Sequence, residues 1–160
     1  MNQHASAPLH IYASGIAGDS PALIGAPGCV RARKRVFPVQ IRFAATDCTV
    51  QTLEGVIHAR AGDAIVTGPA GEQWPMAAGS LADKYRPQGA LGACLEGVYE
   101  TIPIDVVARA LRVPFVVHLA DGRSHLRGEP GDWLVDYGDG HLGVVAPAIF
   151  SATYDILGDN

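Results

Sequence analysis

The sequence predicts an α+β protein: an internally duplicated chain of two small, mostly antiparallel β units, each closed by a short helix, packed with pseudo-twofold symmetry. Three observations lead to this fold class. The 160 residues are 48% hydrophobic and 18% charged, which is enough apolar material for a core. Nineteen glycines and eleven prolines favour many turns and few long helices. A string of turn and core residues also recurs along the chain.

The recurrence is a gap-free alignment at an offset of 69 residues. Gly62-Asp63-Ala64-Ile65-Val66 lies over Gly131-Asp132-Trp133-Leu134-Val135, and the alignment runs on to Tyr85 over Tyr154. Six of the 24 aligned positions are identical. Because the identical residues are turn and core residues in the same order, they indicate a duplication.

The match extends upstream with small shifts in offset. Leu53-Glu54-Gly55 corresponds to Ala120-Asp121-Gly122, and 37–41 corresponds to 102–106. The predicted organisation is a first repeat unit at 35–88 and a second at 89–160, together forming one compact domain. Residues 1–34 are an N-terminal extension and loop.

Each unit is expected to begin with a strand. Val39, Ile41 and Phe43 alternate with polar residues, which is the period of a half-buried strand. The corresponding stretch, 102–111, also fits a helical face, so strand and helix both stay open there. The strand is preferred because its partner in the first unit is a clear strand.

A hairpin follows in each unit. The second strands are expected at 49–53 and 115–119, and the third at 56–59 and 124–127. Each hairpin is closed by an acidic residue and a glycine, a pair that tolerates the positive φ of a tight turn.

The rest of each unit contains the Gly-Asp pair, two more strands and a helix. A strand follows Asp63 or Asp132, and after a second glycine turn a last strand passes through Trp74 or Val144. Short helices are expected at 80–85 and 147–157, since Pro147 suits a first helical turn.

The N-terminal extension is expected to contain an edge strand at 9–13 and a loop at 15–28. Its basic run, Arg31, Arg33, Lys34 and Arg35, reads as a solvated linker. The net charge of −4 argues against non-specific nucleic-acid binding, which needs a positive surface.

The segment Pro130-Gly131-Asp132-Trp133-Leu134 resembles the motif of the PGDYG family of uncharacterised bacterial proteins. Trp133 replaces the Tyr of that motif, and Leu134 replaces its last Gly. The first unit is similar to short phage-associated proteins through Gly62-Asp63, the strand 64–67, Gly71-Glu72-Gln73-Trp74-Pro75 and Tyr85. The resemblance covers about 35–157 and implies a shared fold but no activity.

No catalytic elbow, phosphate loop, dinucleotide fingerprint or metalloprotease motif occurs. The odd, widely spaced Cys29, Cys48 and Cys94 favour reduced, mostly buried thiols in a cytoplasmic protein. His118, His125 and His141 fall short of a zinc set. We therefore predict no metal and no cofactor.

The candidate ligand-binding residues are Glu72, Trp74, Asp63, Asp132 and Trp133. The two aspartates are either an acid–base pair or, as we favour, local turn caps. Glu72 beside Trp74 is the polar and aromatic pair most suited to a ligand, although Trp74 is also a natural core residue. The second unit has His141 and Gly143 at these places.

These residues lead to one preferred function and one alternative. The preferred function is a non-enzymatic cytoplasmic binding or accessory module, which takes a small molecule or a protein partner in a cleft near Trp74 and Trp133. The alternative is a small hydrolase that uses Asp63, Asp132 and Glu72. No stretch of about 20 apolar residues predicts a membrane span, and a homodimer is left open.

Overall fold

A computed structural model of the protein describes residues 10–13, 28–89, 95–120 and 122–158. Strands dominate this part of the chain, as predicted, and most strand pairs are antiparallel. In chain order they are β1 (His10–Ala13), β2 (Val30–Lys34), β3 (Pro38–Phe43), β4 (Cys48–Thr52), β5 (Gly55–Ala59), β6 (Ala64–Thr67), β7 (Gln73–Met76), β8 (Tyr85–Pro87), β9 (Gly97–Thr101), β10 (Asp105–Ala110), β11 (Phe115–His118), β12 (His125–Gly128), β13 (Trp133–Asp136), β14 (Leu142–Val145) and β15 (Tyr154–Ile156). The α-helices are α1 (Leu81–Lys84), which follows a 3-10 turn at Ala78–Ser80, and α2 (Pro147–Thr153).

Two five-stranded sheets form the body of the protein. The first sheet has the order β7-β6-β3-β9-β8 and the second has the order β14-β13-β10-β2-β15. The fourth strand of each sheet is exchanged: β9 belongs to the first sheet, and β2 belongs to the second. β2 precedes β3 but pairs with β10, and β9 precedes β10 but pairs with β3. This exchange ties the sheets together, because neither is complete without a strand from the other segment.

The strand registers correct the predicted upstream alignment. Val39 lies opposite Tyr99 in the first sheet, and Val106 lies opposite Ala32 in the second. Val106, and not Ile104, therefore takes the place of Val39. The shared prolines at 38 and 103 misled the alignment, because Pro38 starts a strand while Pro103 precedes one.

The segment with two open readings is a strand. Asp105–Ala110 forms β10, with Val106 and Ala108 buried on one face. Its alternating burial is the period-2 pattern of a sheet with one covered face. The preferred prediction is confirmed.

The prediction that the basic run is a solvated linker is wrong, because Val30–Lys34 is β2. Ala32 is fully buried on this strand. Arg31 and Arg33 point to the opposite face, where Asp105 Oδ2 and Oδ1 lie 3.5 and 2.6 Å from their guanidinium nitrogens. Because side chains alternate along a strand, Lys34 shares the inward face with Ala32.

The hairpins form two smaller sheets. β4 pairs with β5, and the other sheet has the order β1-β11-β12, in which β1 is the predicted edge strand and runs parallel to β11. The hairpins meet through two hydrogen bonds: the Arg127 N–H donates to the Glu54 carbonyl at 2.7 Å, and the His58 N–H donates to Ser124 Oγ at 3.0 Å. The predicted loop at 15–28 lies outside the described residues except for Gly28.

The predicted helices end earlier than expected. Tyr85 and Tyr154 have extended backbones, and each begins a strand rather than continuing the helix before it. The prediction of a helix over 147–157 is therefore wrong from Tyr154 onward. Residues Tyr154–Ile156 form a strand that pairs with β2, although their apolar spacing also fits a helix. Pro147 does occupy the first turn. Neither described helix is long and apolar enough to cross a membrane.

Candidate functional site

The two Gly-Asp pairs are turns with the same hydrogen bonds. Asp63 Oδ2 accepts the Arg60 N–H at 2.8 Å, and Asp132 Oδ2 accepts the Glu129 N–H at 2.9 Å. The glycines before them have φ of 90° and 99°, backbone angles that residues with a side chain rarely adopt. Each aspartate thus caps its own turn.

A cavity of about 420 Å³, here called the cleft, lies between the two large sheets and the two hairpins. Its walls include Trp74 of β7, Glu72 before it, Lys34 of β2 and Gly143 of β14. Asp63, Asp132 and Trp133 do not line the cleft. Of the three carboxylates that the hydrolase alternative uses, only Glu72 lines the cleft.

Trp133 packs away from the cleft. Its ring stacks on Phe150 with centroids 4.0 Å apart and an angle of 10° between the planes. Phe150 in turn stacks on Tyr154 at 4.9 Å. The indole of Trp133 thus belongs to the core of the second sheet.

Lys34 lies in a cage of four aromatic rings. Its Nζ is 5.7 to 5.9 Å from the ring centroids of Phe37, Trp74, Tyr85 and Tyr154. These distances are in the range of cation–π attraction. Lys34 is half-buried, and the described residues give its ammonium no hydrogen-bond or ion-pair partner, so this nitrogen is in contact with the open space of the cleft.

Burial controls the protonation of Lys34. Loss of water around the ammonium, and then the like charge of Lys84, lower the pKa of Lys34 to about 8, against the opposing effect of Glu72. A substantial fraction of this side chain is a neutral amine at slightly alkaline pH.

Lys34 and Lys84 are the only two lysines in the sequence. Both lysines line the cleft. The structure describes all ten arginines, and none of them lines the cleft. Lys84 Nζ lies 4.6 Å from the centroid of the Tyr137 ring. Both lysines of the sequence thus lie in the cleft, while the arginines lie outside it.

The two sheets place an aromatic ring in the cleft from different positions. Trp74 lies opposite Val66 in the first sheet, and Gly143 lies opposite Val135 in the second. In the second sheet Tyr137 covers the glycine instead, since a Cβ at Gly143 would be 2.7 Å from the Tyr137 hydroxyl. In the first sheet Gly68 leaves room for Glu72 and Trp74, because a Cβ there would overlap the Glu72 carboxylate.

Each of these rings is close to a tyrosine hydroxyl. Trp74 affects the pKa of Tyr85, and Tyr154 affects the pKa of Tyr137. Burial raises the pKa of Tyr137 to about 12 and raises the pKa values of Tyr85 and Tyr154. All three tyrosines therefore stay protonated at neutral pH.

Two carboxyl groups of the cleft differ in environment. Glu72 Oε2 accepts the Ala70 N–H at 2.9 Å. Burial raises the pKa of Glu54 to about 7; its own backbone N–H opposes this shift, and the charges of Asp132 and Glu72 add to it. Glu54 is therefore protonated in part at neutral pH.

We expect Glu54→Gln to stabilise the protein by about 1 to 2 kcal/mol at pH 8, after allowing for solvent screening, and by almost nothing at pH 4. The folded pKa lies above the unfolded one, so the native state binds more protons between pH 4.5 and 7. Its stability therefore falls as the pH rises through that window, and the neutral amide avoids the loss. Urea unfolding at both pH values measures the difference. Glu129→Gln, at an exposed position, is the control, and equal effects of Glu54→Gln at both pH values would contradict the assignment.

The sequence identified part of this site. Glu72 and Trp74 do line the cleft, but Lys34, Lys84 and Tyr137 were missed. The rarity of lysine could have marked Lys34 and Lys84 as candidates, since ten of the twelve Lys and Arg residues are arginine. A signal for Tyr137 was its alignment with Gly68, which mirrors that of Gly143 with Trp74.

The described residues contain no group of three or more metal-ligating side chains. His118 and His125 face each other across β11 and β12 with ring centroids 6.1 Å apart. The expected burial of the thiols is wrong for Cys48, which is exposed because it starts an outer hairpin strand. Cys29 is half-buried, and Cys94 lies outside the described residues.

A family model described as PGDYG protein matches residues 55–155, well over half of the chain. The chain belongs to the PGDYG protein family. This confirms the resemblance seen at Pro130-Gly131-Asp132-Trp133-Leu134. In this PGDYG protein the match includes Glu72, Trp74 and Lys84 but begins after Lys34. No curated protein and no solved structure matches the chain.

Proposed function

We propose that this PGDYG protein is a cytoplasmic, non-enzymatic binding module that holds a small anionic molecule in the cleft. The observation that carries the proposal is the half-buried Lys34 ammonium, which lines the cavity without an acceptor among the described residues. A charged group that loses part of its hydration is stabilised by acceptors that replace the lost hydrogen bonds. A carboxylate or phosphate oxygen of a ligand supplies such an acceptor, and the cavity is in the size range of small-molecule sites.

We also infer that the chain consists of two diverged copies related by pseudo-twofold symmetry. The strand orders and registers of the two large sheets support this inference. The differences between the copies collect in the cleft. By register and offset, the paired positions are Lys34 and Thr101, Gly68 and Tyr137, Glu72 and His141, Trp74 and Gly143, and Lys84 and Thr153.

Thr101 and Thr153 occupy the positions equivalent to Lys34 and Lys84, and their hydroxyl groups form hydrogen bonds within the protein. Thr101 Oγ1 donates to the Arg35 carbonyl at 2.6 Å and accepts the Phe37 N–H at 3.0 Å. Thr153 Oγ1 donates to the Ile149 carbonyl at 2.7 Å. One copy thus has self-contained polar groups where the other presents ammonium groups to the cleft, which supports a binding role on the lysine side.

Tryptophan fluorescence tests this proposal. Trp133→Phe leaves Trp74 as the only tryptophan and removes a residue outside the cleft. We expect acetate, benzoate, pyruvate or inorganic phosphate to change the Trp74 emission in a saturable way at millimolar concentration. The response should be lost in Lys34→Gln and kept in Arg127→Gln, which removes one positive charge from an exposed ion pair. A linear or absent response to all four probes would refute the proposal.

A further inference from the structure

The distribution of lysine and arginine has a chemical consequence. Arg and Lys both hold a positive charge on a protein surface, but only Lys becomes a nucleophilic amine near neutral pH. This chain places arginine at every basic position outside the cleft and lysine at both basic positions inside it. Charge alone does not account for this division, because arginine also binds anions well.

The surroundings of Lys34 suit an amine that reacts. Lys34 lines the cavity, and the centroids of four rings from four chain segments lie 5.7 to 5.9 Å from its Nζ. The charged groups that act on it are Lys84 of α1 and Glu72 in the turn before β7. The rings of Tyr85 and Tyr154 face Lys34, and their hydroxyls are titratable. The other titratable groups of the cleft wall are Glu54, Asp83, Tyr137, Asp139 and His141.

We propose that Lys34 forms a reversible Schiff base with the carbonyl carbon of a small keto or aldehyde acid bound in the cleft. The inference rests on the proposed function, because the acid must first bind there. The Lys84 ammonium attracts the carboxylate of this ligand, while Lys34 reacts with the neighbouring carbonyl.

The reaction needs no oxidant or reductant. The Lys34 ammonium loses one proton to solvent, and the neutral nitrogen attacks the carbonyl carbon, so a C–N bond forms and the π pair moves to oxygen. The oxygen takes a proton, the nitrogen loses one, and the hydroxyl leaves as water after a further protonation. The products are one C=N bond and one water molecule, and hydrolysis reverses the sequence.

The protonation state of Lys34 favours this step. With a pKa of about 8, Lys34 is a neutral amine in about a tenth of the molecules at pH 7. An ordinary lysine has a neutral fraction roughly two- to three-hundredfold smaller at that pH.

Reductive trapping tests the inference. The Trp133→Phe protein is incubated with glyoxylate and cyanoborohydride at pH 7, and peptide mapping by mass spectrometry locates the carboxymethyl groups. We expect Lys34 to be labelled at least about tenfold faster than Lys84, with a rate that rises up to a pH of about 8. In urea, where the cleft is lost, the two rates should become similar.

A surface amine provides the matched control. In Arg127→Lys, the new side chain stands at an exposed position outside the cleft, and we expect it to be labelled at least about tenfold more slowly than Lys34. Equal rates in the native protein would overturn the inference. Acetate measured by Trp74 fluorescence on the same protein separates the two proposals: acetate binding without preferential Lys34 labelling refutes only the Schiff base, while neither result refutes both.

Discussion

Gly128→Ala should lower the free energy of unfolding by about 2 to 4 kcal/mol. Gly128 lies opposite Phe115 in the β11–β12 pair, and the Phe115 ring rests on it. A Cβ at Gly128 would overlap that ring. Phe115 is fully buried against Leu111, Val117 and Leu134, so the ring has no free volume to move into. Urea unfolding monitored by circular dichroism measures the loss.

Gly79→Ala is the matched control for this substitution. A Cβ at Gly79 meets nothing within 4 Å, and we expect a change within about 0.5 kcal/mol. Adding Phe115→Leu to Gly128→Ala should recover part of the loss, giving a coupling of about 1 kcal/mol or more. If Gly128→Ala cost no more than Gly79→Ala, the close approach of the ring to the strand would be disproved.

Lys34→Met should stabilise the protein by about 1 to 3 kcal/mol at pH 7 while abolishing ligand binding. The folded pKa of about 8 lies below the unfolded value of 10.5, so the unfolded chain binds more protons between these pH values. The stability of the unsubstituted protein therefore rises with pH across that window. Methionine keeps an apolar side chain in the aromatic cage and carries no charge. The substitution therefore removes the free-energy cost of burying the ammonium and the dependence of stability on pH.

Denaturant unfolding at pH 7 and pH 10 measures both effects. The gain from Lys34→Met should fall to less than half at pH 10, where the lysine of the unsubstituted protein is already neutral in the folded state. Arg127→Met, at an exposed position, should change stability by less than about 0.5 kcal/mol at either pH. A destabilised Lys34→Met protein at pH 7 would show that the ring cage favours the charge more than burial opposes it.

The strands and turns were largely predictable because their signals are local. Alternation at Val39, Ile41 and Phe43 and the glycine turns depend on neighbouring residues alone. The basic run was misread because its alternating inward residue is only an alanine, Ala32, which gives little hydrophobic signal. Its strand forms because β10, more than 70 residues later, pairs with it.

The candidate site was predictable only in part for the same reason. Glu72 and Trp74 stand out as a local polar and aromatic pair, and both line the cleft. Lys34 stands out only once rings from four chain segments surround it. A cage of this kind depends on side chains that are distant in sequence, so spacing cannot reveal it.

The sequence by itself determined the strand-rich class, the order of turns and the membership in the PGDYG family. The tertiary structure alone decided the exchange of β2 and β9 between sheets, the register that places Val106 where Val39 lies, and the partial burial of Lys34. The physical reason is that turn geometry and side-chain alternation are properties of consecutive residues. Partner choice between strands and the loss of water around a charged group are properties of the assembled fold.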